Sequence, residues 1–232
     1  MDNFGLLRAF EKVFHGRQYK HRVSTTGDLI ASCLYEDLLS LGDSKKFLER
    51  VKSRMCVVNT SNLIKGKKGR RGDGTFGRIV PGIQASSVEG YSVCRGPVAN
   101  LEIGCEVKIL ATKMIAQIDR VTTDLRNQAD VFRKLNPNCI AIGIVGVNHA
   151  LEYVGREGKR SYPAKKPPAK ESAEIIRRLD RDVRSKYDEF VVLPYSATNK
   201  RPFPFSWTHE RETTDEYASL LVRVSDLYER RF

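Results

Sequence analysis

The segment Asn100-Leu101-Glu102-Ile103-Gly104-Cys105-Glu106-Val107-Lys108-Ile109 decides the fold. Leu101, Ile103, Cys105, Val107 and Ile109 alternate with Asn100, Glu102, Gly104, Glu106 and Lys108. A strict period of two belongs to a β-strand, because successive side chains leave a pleated chain on opposite faces. The pattern predicts a strand over 98–110 with one apolar face and one polar face.

The neighbouring segments extend this start. Met114, Ile118, Val121, Leu125 and Phe132 recur at helical spacing, and Asn136-Pro137 ends that helix. The apolar run from Cys139 to Val147 is rich in β-branched residues. It predicts a strand buried on both faces, as parallel pairing requires. Strand, helix and buried strand in succession predict a right-handed crossover. A helix over 171–186 and a strand over 189–195 repeat the unit. The chain then closes with a helix over 214–231, for which Thr213 and Glu216 form a capping box. Upstream, helices are predicted over 28–40 and 44–54, with strands at 55–59, 78–83 and 90–95. The stretch around 155–170 contains Pro163, Pro167 and Pro168 and reads as a long loop. The expected fold class is α/β, a central mixed β-sheet flanked by helices. A single domain over 1–232 carries basic loops near 59–77, 155–170 and 196–212.

Composition narrows the function. Hydrophobic residues form 41% of the chain, enough for a packed core. No apolar run reaches the roughly 18 residues a membrane span needs, so no membrane partner is expected. The first residues lack the basic-then-apolar order of a signal peptide. Five cysteines, an odd number without a CxxC pair, read as reduced thiols and point to a cytoplasmic location rather than to disulfides or zinc. Lys and Arg total 40 against 28 acids, a net charge of +12. That field favours a polyanion, and nucleic acid is the commonest one. The cations cluster: Lys67, Lys68, Arg70 and Arg71 in one glycine-rich segment, Arg160 and Lys165 in a second, Lys200 and Arg201 in a third; these, with the neutral Asn199, are the expected DNA contacts.

On the polar face of strand 98–110, Glu102, Glu106 and Lys108 are expected to project together. Two half-buried carboxylates repel each other and are costly to desolvate unless a cation compensates. A divalent metal together with Lys108 would do so. Phosphodiester hydrolysis uses those parts: carboxylates to hold magnesium, and a lysine to orient water and stabilise the transition state.

Glu106-Val107-Lys108 on a strand, followed by an amphipathic helix and a buried strand, resembles the PD-(D/E)xK nuclease superfamily, which includes most type II restriction endonucleases. The resemblance covers roughly residues 28–147. It implies a magnesium-dependent endonuclease with Glu106 and Lys108 as the ExK half of the motif. No Pro-Asp dipeptide is present for the other half. The resemblance assigns it to Asp73, within Arg71-Gly72-Asp73-Gly74, 33 positions before Glu106, with Glu89 as the alternative. Asp73, Glu106 and Lys108 are then the expected catalytic residues. Asp73, Glu106 and Glu102 are the expected metal-binding acids, with Glu36 as the acid that many members add from their first helix. The expected partners are double-stranded DNA and a second copy of the chain, because one active site cuts one strand and palindromic cutting needs two. Two other readings stay open: a structure- or damage-specific repair nuclease of the same fold, and a non-catalytic DNA-binding protein. The last would place acidic residues against phosphate.

Overall fold

A computed structural model of the chain describes residues 4–20, 25–59, 63–64, 67–68, 72–157 and 160–232; for 63, 64, 67, 68 and 157 it describes the backbone alone. The elements in chain order begin with helices α1 (Gly5–Phe14), α2 (Thr25–Leu41) and α3 (Lys45–Lys52). Strands β1 (Cys56–Asn59), β2 (Leu63–Ile64), β3 (Lys67–Lys68), β4 (Gly74–Ile79), β5 (Arg95–Gly96) and β6 (Val98–Leu110) follow. Next come α4 (Met114–Leu135), β7 (Ile140–Asn148), β8 (Val154–Glu157), β9 (Arg160–Pro163) and α5 (Ser172–Asp182). The chain ends in β10 (Glu189–Ala197), β11 (Phe205–Trp207) and α6 (Glu210–Arg231).

Seven strands form one mixed sheet in the order β11-β10-β7-β6-β4-β1-β5. β6, β7 and β10 run parallel, and β4 and β11 are antiparallel to their neighbours β6 and β10. The chain is thus an α/β protein with a mixed sheet between helices. α1, α2, α3 and α6 cover one face and bury Leu7, Phe10, Leu34, Tyr35, Phe47 and Tyr217 there. α4 and α5 cover the other face with Ile118, Leu125, Phe132, Ile175 and Leu179. The β6–α4–β7 and β7–α5–β10 connections explain this division, since each crossover returns a parallel strand by way of a helix on one face. Among the described residues, no helix is long and apolar enough to cross a membrane.

Four local expectations are corrected. The strict alternation of β6 is broken. Phe76 pairs with Ile103 and Gly77 with Leu101, so Glu102 is an extra residue without a partner, a β-bulge. Gly77 makes this possible, because a Cβ there would lie 2.0 Å from the Asn100 carbonyl oxygen. The bulge turns Leu101 toward α4, while Ile103, Cys105 and Val107 face the α1–α2 side. The strands expected at 78–83 and 90–95 are instead β4, which begins at Gly74 and stops before Pro81, and the two-residue β5. The segment read as a long loop at 155–170 contains the β8–β9 hairpin. Finally, α6 starts one turn before Thr213, so the Thr213 hydroxyl does not cap it and has no hydrogen-bond partner among the described residues.

Candidate active site

The site lies where β4 and β6 part. The antiparallel ladder between them begins at Gly74 opposite Cys105. Among the described residues, β6 continues to Leu110 paired with β7 alone. An unpaired backbone N–H at half-buried depth needs an acceptor. Asp73, one residue before β4, supplies it: its Oδ2 accepts the Val107 N–H at 2.8 Å across a separation of 34 residues. The fork therefore holds the Asp73 carboxylate against the middle residue of Glu106-Val107-Lys108.

Glu106 is 6% exposed. Lys108, two residues on and so on the same face, donates from Nζ to Glu106 Oε1 at 2.5 Å. Burial, and then the neighbouring Glu106 charge, push the Asp73 carboxyl from its usual 3.8 up to about 7. The Val107 N–H and the Lys108 ammonium oppose that rise without cancelling it. Two carboxylates thus share the field of one lysine, which bonds only Glu106 of the two, an under-compensated charge of the kind a hard divalent cation can balance.

The first turn of α2 lies against Asp73. A Cβ added at Gly27 would lie 2.5–2.8 Å from the Asp73 carboxylate atoms, so any side chain there would have to push that carboxylate aside. Asp28 beside it adds a further charge that raises Asp73. Asp28 is thus the helix acid that the structure brings toward Asp73, in place of Glu36. A glycine and an aspartate in a first helical turn are the signal in the sequence that could have found it.

The remaining expected acids serve elsewhere. Glu36 accepts the backbone N–H groups of Ser92 and Val93 at 2.9 and 3.0 Å, holding the loop before β5. Glu102, 1% exposed, accepts from Arg50 at 2.6 Å and from the Tyr228 hydroxyl, with Cys56 Sγ at 3.4 Å and Arg78 at 3.7 Å. Its bulged position turns it to α3 and α6 instead of toward Glu106. Glu89 is exposed in the turn before β5, the strand at the far edge of the sheet. Among the described residues, no group of three or more His, Cys, Asp or Glu side chains is arranged to hold a metal. Asp73 and Glu106 are the two acids brought together at the fork, and magnesium typically uses only one or two carboxylates, taking water and phosphate oxygens for the rest.

Of the expected DNA contacts, Arg70 and Arg71 lie outside the described residues, and Lys67 and Lys68 are described by backbone alone, on β3. That strand pairs with β2, which lies against β6. Arg160, Lys165, Lys200 and Arg201 are exposed. Asn199 is not available to DNA. It is 3% exposed, accepts the Tyr19 N–H at 2.8 Å and donates to the Tyr19 and Val154 carbonyls at 3.3 and 2.9 Å. Its work is to tie three segments together.

No family model matches the chain, and no curated protein or solved structure is significantly similar to it.

Proposed function

We propose that the chain is a magnesium-dependent endonuclease of the PD-(D/E)xK kind, cutting double-stranded DNA at specific sites as type II restriction enzymes do. One observation carries the reading: Asp73, remote in sequence, is seated on the Glu106-Val107-Lys108 strand by its bond to Val107. In this reading Asp73 and Glu106 hold the magnesium ion, with Asp28 close enough to add to their field. When bound, the ion supplies charge neutralisation at the scissile phosphate and a lower pKa for a coordinated water. Lys108 then exchanges its bond with Glu106 for a place beside the phosphate, where its ammonium orients the attacking water and stabilises the charge that develops. The fork holds Glu106 and Lys108 on a strand backbone and Asp73 one residue from β4, and strands position side chains more firmly than loops do.

The net charge of +12 supports a nucleic-acid substrate. Cutting both strands of a palindrome would require a homodimer. A purely DNA-binding role fits less well. A buried carboxylate pair with one lysine is a costly arrangement for a protein that only holds phosphate.

The test is cleavage of phage DNA with magnesium. Wild type is expected to give discrete fragments, while Glu106→Ala and Lys108→Ala lose about a hundred- to a thousand-fold in rate, the scale set by removing one preorganised group. Normal cutting by both variants sinks the proposed site. Fragments that appear only from damaged or branched DNA would favour the repair-nuclease reading.

A further inference from the structure

The β8–β9 hairpin is an unusual element. It is a two-stranded sheet outside the main one, and all four residues of β9 are exposed. Hairpins of this kind are marginal in water unless something holds them. Here the base is pinned firmly. Val154 N–H bonds the Thr198 carbonyl at 2.9 Å, Ala164 N–H bonds that of Tyr153 at 2.8 Å, and Asn199 bonds Val154. Tyr153 is 1% exposed in the main core. Arg156 adds a bond to Gln18 at 3.1 Å and lies 5.8 Å over the Phe203 ring. The base is thus pinned, while every residue of the strand it presents is exposed.

Register decides which face is free. Arg156 pairs with Ser161, and Gly155 with Tyr162. Arg156 is spent on Gln18 and Phe203, so its face turns to the body of the protein. Alternation places Arg160 and Tyr162 on the opposite, outward face. Tyr162 is 48% exposed, and Gly155 across from it adds no side chain to cover the ring. Lys165 and Lys166 follow, both exposed. The segment 150–170 holds six Lys and Arg against two acids.

Position relates the hairpin to the site. Lys108 pairs with Val145 on β7, and the strand ends three residues later at Asn148, about 10 Å further along. Asn148 is fully buried and bonds the carbonyls of Ala111 and Ala197, locking the ends of β6, β7 and β10 together. The hairpin therefore rises from the sheet end toward which Glu106 and Lys108 lie, next to the exposed Lys200 and Arg201.

We infer that the β8–β9 hairpin is a preformed arm that lies against duplex DNA beside the scissile phosphate. Arg160 and Tyr162 face a groove, and Lys165 and Lys166 contact the flanking phosphates. A two-stranded ribbon fits the B-form major groove of about 12 Å, and a pinned base removes the ordering cost of binding. The inference takes its substrate from the nuclease reading, yet it is tested by binding and not by cutting.

The experiment measures binding of a fluorescent 30-base-pair duplex in EDTA across a salt series, for wild type, Arg160→Ala/Lys165→Ala/Lys166→Ala and Tyr162→Ala. The triple variant is expected to bind at least ten-fold more weakly at moderate salt. Its slope of log affinity against log salt should be shallower by about 2, near one per lost phosphate contact. Tyr162→Ala should weaken binding with the slope unchanged, and both proteins should unfold at the wild-type temperature because these side chains are exposed. Equal affinity of all three proteins overturns the arm and leaves the nuclease reading, which stands on Glu106 and Lys108. Loss of binding in the arm variants, alongside normal cutting by Glu106→Ala and Lys108→Ala, overturns the catalytic site and keeps the arm. Equal affinity of wild type for a single-stranded oligomer, with the same losses in the variants, overturns the duplex assignment.

Discussion

Asp73→Asn should make the protein more stable while removing its activity. The fold holds the Asp73 carboxyl near pKa 7 in place of 3.8, chiefly through burial and the Glu106 charge. A rise of that size corresponds to roughly 4 kcal/mol of disfavoured ionisation. The folded state binds the proton more tightly than the unfolded state does. The penalty is therefore nearly absent below pH 4, grows as pH rises toward 7, and is complete above it. Asparagine removes the charge, and its side-chain oxygen keeps an acceptor for the Val107 N–H. Part of the 4 kcal/mol will be lost because Lys108 and Glu106 readjust together, so the net gain at pH 8 should be about 1–3 kcal/mol. For a chain of this size that raises the unfolding temperature by about 3–9 °C. The assay is thermal unfolding in EDTA from pH 4.5 to 8.5, with a magnesium arm added. The gain from Asp73→Asn should shrink by more than half at pH 5, and magnesium should stabilise wild type more than the variant. A variant less stable than wild type at pH 8, or an advantage constant from pH 5 to 8.5, refutes the account of a strained carboxylate pair.

Three further outcomes follow from the same geometry. Gly27→Ala places a methyl group against the movable carboxylate of Asp73 and not against backbone, and alanine favours a helix by up to about 1 kcal/mol; cleavage should fall at least about ten-fold with the unfolding temperature held or raised, whereas unchanged cutting would show that α2 does not set the carboxylate. Arg50→Ala leaves Glu102 buried without its closest cation and should cost about 3–5 kcal/mol, read as a lower urea midpoint with little change in cleavage per folded molecule. At low magnesium the cleavage rate should rise between pH 6 and 8 as Asp73 loses its proton, with the midpoint moving down as magnesium increases; a flat profile from pH 5.5 to 8.5 would contradict a metal-binding role for Asp73.

The elements that were legible in the sequence are those whose pattern is local. β6, α4 and β7 announce themselves by period two, helical spacing and an unbroken β-branched run, and their bounds match closely. α1 has a helical stripe of Leu6, Leu7, Phe10 and Val13, but its N-terminus has no capping side chain of its own. Its cap comes from Asp37 on α2, which takes the Gly5 and Leu6 N–H groups at 2.6 and 2.9 Å and is steadied by the Tyr217 hydroxyl at 2.8 Å. No local signal reveals a cap brought from α2 and α6. β8 and β9 escaped for a related reason. A hairpin with β9 exposed along its whole length has no apolar alternation to detect, and its prolines and cations read as loop. The bulge at Glu102 depends on Gly77 across the ladder, so it cannot be seen along β6 alone.

That bulge gives two acids on one strand opposite fates. Without it, Glu102 would share a face with Glu106 and the anionic charge would gather at one place. With it, Glu102 is carried to the other side of the sheet, where Arg50 at 2.6 Å and the Tyr228 hydroxyl meet its charge and tie α3 and α6 to β6. The N-terminal half of β6 is thereby an anchored and neutral unit. The C-terminal half is the reverse: Asp73 and Glu106 face one ammonium, Lys108, with Asp28 adding its field from α2. An ionised pair against a single lysine leaves one negative charge unmatched, and two once that lysine moves to a phosphate. A divalent cation supplies that charge, whereas a second lysine would oppose the ion and occupy the place of the phosphate. The deficit is eased because burial and Glu106 raise Asp73 to about 7, so that without a cation it takes up a proton as pH falls through neutrality. Stability drawn from the Glu102 network and the two helical layers supports the cost, as strained sites in folded proteins generally require.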